Sequence, residues 1–265
     1  MITFGLVQAY SSTSITNNFN LVRRYVSDAK IAGCAAICFP EAFLTGYSLD
    51  NTADLSLERD APILAQVSRL AQEQKIDLLI GFMEQKDNQY FLTQGIWRSD
   101  GTSDFYQKTH LGTREAEVFC PGNHLEVFSL SCGLHIGVQI CVETHFPDIT
   151  QTYSLQGAEI IFAPHASPLP SEKRRELWEK YIPARSYDNR VYMACCNLLA
   201  STGSGGGCMV TDPQGNIILS SFEQKQNLLF FHVEPELVTT YHNCNSDLNH
   251  RYYPGKRRPE LYWSD

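Results

Sequence analysis

The order of patterns along the chain predicts an α/β fold, with layered sheets inside and helices outside. Three observations carry that prediction. Segments with helical spacing alternate with short strand-like runs, hairpin signals sit between them, and no repeat, linker or composition break divides the 265 residues. The sequence is 43% hydrophobic, enough for a sizeable core. The whole chain, 1–265, therefore reads as one domain, with 245–265 as an extended tail.

Thr3–Ala9 reads as a strand. Asn17–Gly33 has helical spacing, with Phe19, Leu21, Val22, Tyr25, Val26 and Ala29 on one side, and it stops at a glycine. Ala35–Phe39 is a continuous apolar run, as in a strand buried on both faces. Pro40–Tyr47 leaves that strand as a loop. A second helix spans Ala61–Lys75, and the strand Asp77–Phe82 follows. Tyr90–Arg98 and Thr102–Gln107 flank Ser99-Asp100-Gly101, where Asp-Gly marks a hairpin. Lys108–Gly122 is a long loop, and Leu125–Leu130 a strand.

From Leu134 to Ile140 apolar and other residues alternate, so the strand puts Leu134, Ile136, Val138 and Ile140 on one face. A helix starts near Pro147, since proline suits a first turn, and ends at Gly157. Glu159–Ala163 is another buried strand. A charged amphipathic helix runs from Ser171, read as its cap, to Asn189. Val191–Leu198 is a strand, on which Cys195 and Cys196 face opposite ways. Gly203–Gly207 reads as a flexible loop without the Lys-Ser/Thr tail of a phosphate cradle. Cys208–Thr211 and Ile217–Ser220 form a hairpin around Asp212–Gly215, and Leu228–Val233 is the last strand.

A net charge of −8 argues against nucleic acid or an anionic membrane as main partner, and no apolar run reaches membrane-spanning length. The amino terminus lacks the basic start and long apolar run of a signal peptide. Nine cysteines without scaffold-like spacing then read as reduced thiols of a cytoplasmic protein. No CxxC or HExxH pattern is present, so no metal site is expected.

Four residues emerge at strand ends or in loops, where α/β sheets place active sites. Cys141 lies between the strand ending at Ile140 and the helix near Pro147, on a turn that exposes the sulfur and whose N–H dipoles favour thiolate. Glu41 directly follows a buried strand, beside Pro40 and Phe43; partial desolvation there raises a carboxylate pKa toward that of a general base. Lys108 opens the long loop and, if buried, can donate to a developing oxyanion. Glu115 and Glu117 lie in the same loop, and either can be a second carboxylate bonded to the lysine. Taken singly, Cys141, Glu41 and Lys108 are each better read as structural, as a small buried thiol, a cap or solvated acid and a surface lysine, and the two loop glutamates can both be solvent-facing acids.

Together they resemble the nitrilase superfamily of carbon–nitrogen hydrolases, over nearly the whole chain. Phe39-Pro40-Glu41 with Thr45-Gly46-Tyr47 resembles its glutamate motif. Tyr106–Leu111 with Arg114-Glu115, Val118-Phe119 and Pro121-Gly122 resembles its lysine motif. Gly137–Cys141 with Glu143, Phe146 and Pro147 resembles its cysteine motif. Ala184–Asn189, Asn197 and Arg258–Tyr262 match downstream.

The resemblance implies a four-layer α-β-β-α sandwich that pairs as a homodimer or higher oligomer. It implies Cys141 as nucleophile, Glu41 as base, Lys108 as oxyanion donor and Glu115 as second glutamate. It places Tyr47, Val142, Glu143, His145 and His165 at the substrate. A small-molecule amide or N-carbamoyl amine is the expected substrate, cleaved through an acyl-thioester without metal or organic cofactor. A true nitrilase is the alternative, as is a catalytically silent binding protein of the same fold. Two departures bear on substrate: Val142 stands where an aromatic residue often follows the cysteine, and Tyr90 is followed by Phe91, not asparagine. His145 stands where relatives that grip a carboxylate often have arginine, so a neutral or weakly anionic far end is expected.

Overall fold

The computed structural model describes residues 1–200, 204–243 and 254–262. Its first half contains β1 (Ile2–Gln8), α1 (Ile15–Ile31), β2 (Ala36–Cys38), α2 (Thr52–Leu55), α3 (Pro62–Gln74), β3 (Asp77–Lys86), β4 (Gln89–Trp97) and β5 (Ser103–Gln107). Then come β6 (Phe128–Ser129), β7 (His135–Val138), α4 (Pro147–Leu155), β8 (Ile160–His165), α5 (Ser171–Asn189) and β9 (Tyr192–Asn197). The last elements are β10 (Leu199–Ala200), β11 (Ser204–Gly205), β12 (Cys208–Thr211), β13 (Ile217–Ser221), β14 (Asn227–Val233) and α6 (Pro235–Asn243).

Two six-stranded sheets result, in the orders β14-β1-β2-β3-β4-β5 and β13-β12-β9-β8-β7-β6. Each has a parallel centre, β1-β2-β3 in one and β7-β8-β9 in the other, with antiparallel flanks. Strand alternation divides the apolar residues between layers. Phe4, Leu6, Ala36, Cys38, Leu79 and Ile96 of the first sheet share a core with Ile136, Phe162 and Ala194 of the second. The Phe4 and Phe162 rings meet edge-on at 5.9 Å across it. The opposite face of the first sheet, with Val7, Ile37, Leu78 and Ile80, packs on Phe19, Val22 and Val26 of α1 and Leu64 and Val67 of α3. On the second sheet, α4 and α5 form the other outer layer. This is the α-β-β-α sandwich expected above.

Cys195 and Cys196 do face opposite ways, Cys196 toward the sheet interface with its sulfur 3.9 Å from the Cys38 carbonyl. Gly137 points outward and lets Tyr153 of α4 lie flat on the strand; a Cβ there would sit 2.7 Å from its ring.

Several boundaries differ from expectation. β3 continues past Phe82 to Lys86 and turns into β4 through Asp87 and Asn88, both at positive φ (51° and 61°). Acidic and amide side chains tolerate that turn conformation. The strand expected over Leu125–Leu130 shortens to Phe128–Ser129. Ser171 is the first residue of α5 and caps nothing; Pro170 precedes it and makes no side-chain cap. Ser204–Gly205, expected in a flexible loop, is a strand paired to Leu199–Ala200; Gly203 lies outside the described residues. The tail was expected to be extended, but its described part forms short turns at Pro254–Lys256 and Pro259–Leu261, the first packed on α4 of the same chain. Arg251 and Trp263 of that tail lie outside the described residues.

Candidate active site

Three loops bring the chemistry together, two after the parallel strands β2 and β7 and one after the antiparallel strand β5. After β2 the chain turns at Pro40–Thr45, held by Phe39 N donating to Leu79 O (2.8 Å) and Leu44 N to Gly81 O (2.9 Å). Ala42 within that turn is at φ 51°. After β5, Lys108 N donates to Leu92 O and Gly122 N donates to Lys108 O, both at 2.8 Å, so the long loop is pinned at both ends. After β7 the chain enters a single 3₁₀ helix, Cys141–His145, with Cys141 itself at φ 52°. A non-glycine residue in this left-handed conformation is strained, and neighbours must hold it there.

Glu143 does that holding. Its Oε2 accepts from Ile140 N (2.6 Å), and its Oε1 accepts from Tyr106 Oη (2.7 Å), Thr109 N (2.7 Å) and Thr109 Oγ1 (2.6 Å). Thr144 Oγ1 adds a bond to the Cys141 carbonyl at 2.7 Å. Burial pushes the Glu143 carboxyl up, and these donors pull it back. Glu143 thus splices the cysteine turn to the start of the lysine loop. It is buried and is not among the residues that line the cavity.

Lys108 is buried, and its Nζ donates to Glu41 Oε1 and to Glu115 Oε1, each at 2.8 Å. Glu115 Oε1 also accepts from Tyr47 Oη (2.9 Å), and Glu115 Oε2 from Gly112 N (2.7 Å). The second carboxylate at Lys108 is therefore Glu115, which is buried, whereas Glu117 is exposed. Burial works against the Lys108 charge, but Glu41, Cys141 and Glu115 outweigh it and hold the ammonium well above its usual range. Burial raises the Glu41 carboxyl to about 6, with Lys108 acting to lower it and Glu115 to raise it. Tyr47 is raised first by burial and then by the two glutamates, so it stays a phenol.

Glu41, Lys108, Glu115, Tyr47, Cys141 and Val142 line one cavity of about 320 Å³. Cys141 departs from expectation electronically. Burial, then Glu41, push its thiol up to about 12 against the pull of Lys108, so it rests as a thiol and not a thiolate. A second cavity, about 480 Å³, shares Tyr47, Ala166, Ser167 and Pro168 with the first and extends toward Tyr10 and Leu199. Among the described residues, no cluster of three or more His, Cys, Asp or Glu side chains converges as a metal site. Likewise no described helix is long and apolar enough to cross a membrane.

The two histidines lie elsewhere. His145 is exposed, its ring tilted against Tyr181 with centroids 4.6 Å apart, and it does not line either cavity. Burial of its inner side, then Arg174 and Arg185, lower its pKa. The turn that orients Cys141 also turns His145 outward, a direction that position in sequence does not reveal. His165 is fully enclosed: Nδ1 lies 2.8 Å from the Ala163 carbonyl, and its ring meets Trp178 at 4.9 Å. Burial and then Arg174 hold it well below the usual range. It too lines neither cavity. Sequence reasoning passed over Arg174, a buried guanidinium next to this site. A signal was present: Arg174, Trp178 and Ile182 recur at helical spacing and share the buried stripe of α5.

Comparison with known proteins agrees with the architecture. The carbon-nitrogen hydrolase family model matches residues 3–243. A hydrolase of Schizosaccharomyces pombe is 26% identical over 90% of this chain and 78% of its own length. The deaminated glutathione amidase of Rattus norvegicus is 28% identical over 83% of this chain and 73% of its own. The crystal structure of Nit3 of Saccharomyces cerevisiae, a member of branch 10 of the nitrilase superfamily, superposes with a TM-score of 0.82 at 23% identity, covering 91% of this chain and 92% of Nit3. The chain belongs to the carbon-nitrogen hydrolase family and is a hydrolase of non-peptide carbon–nitrogen bonds with the nitrilase-superfamily fold.

Proposed function

We propose that this protein hydrolyses a small-molecule amide through an acyl-thioester on Cys141. The observation that carries the reading is the buried ion cluster Glu41–Lys108–Glu115 lining the same cavity as Cys141. Glu41 takes the thiol proton as Sγ attacks the carbonyl carbon, and the carbonyl electron pair moves to oxygen. Lys108 Nζ and the Val142 backbone N–H meet that oxyanion. Collapse expels the amine, to which Glu41 gives the proton. Water then adds to the thioester, losing a proton to Glu41, and the tetrahedral adduct collapses to acid and thiol as Glu41 returns the proton to sulfur. Glu115 and Tyr47 hold Lys108 in place through the bonds described above.

The name of the rat relative supports an amide over a nitrile as substrate. The same reading includes a homodimer formed through the α4–α5 layer. Mass spectrometry after incubation with a panel of small amides and carbamoyl amines tests the chemistry. The expected result is an acyl mass increment on the Cys141 peptide together with release of ammonia or amine. Turnover that persists in a clean Cys141→Ala preparation ends the covalent reading.

A further inference from the structure

Asn197 is the last residue of β9, and it is fully buried. In the parallel pairing of β8 with β9 it stands beside His165, the last residue of β8. The strands stop there, but the Asn197 side chain carries the pairing on. Its Oδ1 accepts from Ser167 N at 2.9 Å, and its Nδ2 donates to Ser167 O at 3.1 Å and to Gly206 O at 2.9 Å. The amide thus imitates a neighbouring backbone, offering one acceptor and one donor to the N–H and C=O of a single residue. Only one orientation of the amide fits. The reversed one would set N–H against N–H and oxygen against two carbonyls.

Ser167 is held at a third point, because Nη2 of the buried Arg174 donates to its Oγ. Two residues on, Leu169 O accepts from Gly205 N at 3.0 Å. Connecting loops are usually the mobile part of a fold. Here the N–H, the C=O and the hydroxyl of one loop residue are all engaged by buried groups, from β9 on one side and α5 on the other. The residue before it shows what this secures. Leu198 N donates to His165 O at 3.1 Å, which sets the His165–Ala166 peptide plane. In a trans peptide the N–H points opposite to the C=O, so the Ala166 N–H faces away from β9. It donates to the Glu41 carboxyl. Ala166, Ser167 and Pro168 also line the cavity that holds Cys141 and the adjoining one.

Resting on the role of Glu41 as base in the mechanism above, we infer that Asn197 is a positioning residue for that base: by clamping Ser167 it fixes where the Ala166 N–H meets the Glu41 carboxylate. Asn197 lines neither cavity and acts only through Ser167 and Ala166. A donor to a carboxylate favours its charged form, so a slack clamp weakens that bond and raises the pKa of Glu41. The other groups that face Glu41 are Lys108 and Glu115 from the loop after β5, Tyr47 from its own loop and Cys141 after β7. A substitution at Asn197 leaves all four in place.

The test is the rate at which iodoacetamide alkylates Cys141, followed by peptide mass spectrometry across pH, on wild type and Asn197→Ala. Alkylation forms an S–C bond, breaks the C–I bond, releases iodide and passes the thiol proton to Glu41, so it reads the base without requiring hydrolysis. Wild type should show a limb near pH 6. In Asn197→Ala the limb should move to higher pH, and the rate at pH 6 should fall about 10-fold, the scale of one hydrogen bond to a charged group. A lower melting temperature with limb and rate as in wild type makes Asn197 a structural residue only and overturns the proposal. A wild type without a limb near pH 6 overturns it too, because the base that the clamp positions is then not in play. If Asn197→Ala does not fold, Ser167→Ala removes the Arg174 bond alone and should move the limb in the same direction; an unmoved limb there has the same overturning force. A limb that moves as expected while no small amide acylates Cys141 would remove the amidase reading and leave the clamp standing.

Discussion

On the mechanism proposed above, one proton passes between Cys141 and Glu41, and their environments decide where it rests. With the thiol pushed up to about 12 and the carboxyl up to about 6, the neutral-pH state is thiol plus carboxylate. Under that mechanism the nucleophile is made during attack and not beforehand, and Glu41 governs the pH dependence. Below about 6 the base is protonated and idle; raising the pH through that value switches it on. We expect kcat/KM to rise through pH 6 and then to level off. Glu41→Gln should lose the limb and about 10²–10⁴-fold in rate. Lys108→Met should leave Glu41 and Glu115 facing each other without their cation. In that variant any residual activity should show its acid limb at higher pH, measured as kcat/KM against pH. A limb that stays put would mean that Glu41 is not the base. Cys141→Ala should have no turnover, while its circular dichroism and melting stay close to wild type, because the thiol is small and alanine accepts the same backbone turn at similar strain.

At the scale of elements, the site depends on backbones that approach closely. Gly81 on β3 lies against the turn that carries Glu41: a Cβ at Gly81 would meet Ala42 N at 2.4 Å and Pro40 O at 2.9 Å. Gly81→Ala should therefore destabilise the fold by about 1–3 kcal/mol and lower kcat by shifting Glu41. Denaturant melts with kinetics at saturating substrate check both, and unchanged kcat would mean that the turn adapts. How much of this could be read from sequence follows from the same physics. β2 was legible because both its faces are buried, leaving an unbroken apolar run; β7 was legible because it alternates. The Cys141 turn was legible as a turn, since Pro147 fixes the start of α4. Its electrostatics were not, because burial by Tyr47, Val142 and the second-sheet loops is a tertiary fact. The bonding role of Glu143 was hidden for a similar reason. A carboxylate two residues from Cys141 shows no partners in sequence; Tyr106 and Thr109 reach it from the first sheet's side only in the fold. The β3–β4 turn was overlooked because Asp87-Asn88 lacks the glycine that marks the Ser99-Asp100-Gly101 hairpin.

The whole molecule leaves apolar side chains on one outer layer without cover. Phe146 (39% exposed) and Leu155 (45%) belong to the two ends of α4, and Tyr187 (44%) to the last turns of α5. Ser154 Oγ donates to Asn189 O at 2.7 Å, which ties the C-terminal ends of the two helices together. Scattered exposed leucines need no explanation, but three large apolar side chains on one helix layer make a loose patch. The patch is also rigid, because α4 is fastened from below by Tyr153 Oη donating to Val138 O at 2.9 Å. A rigid, partly apolar helix pair is suited to a two-fold interface, in which the same patch meets its own copy. A net charge of −8 on the chain opposes association at long range, so the contact must come from burial, and added salt should favour it by screening. We expect sedimentation velocity at micromolar concentration to show a dimer, and Leu155→Glu with Tyr187→Glu to shift it to monomer while the melt stays cooperative. The double variant places carboxylates at the centre of the patch on both copies, four where there were none, so even a tight interface should open. A wild type that sediments as a monomer would rule out self-association. A variant that remains a dimer would move the interface away from α4 and α5, and the exposed Ile217 and Ile218 of edge strand β13 would be the next surface to charge.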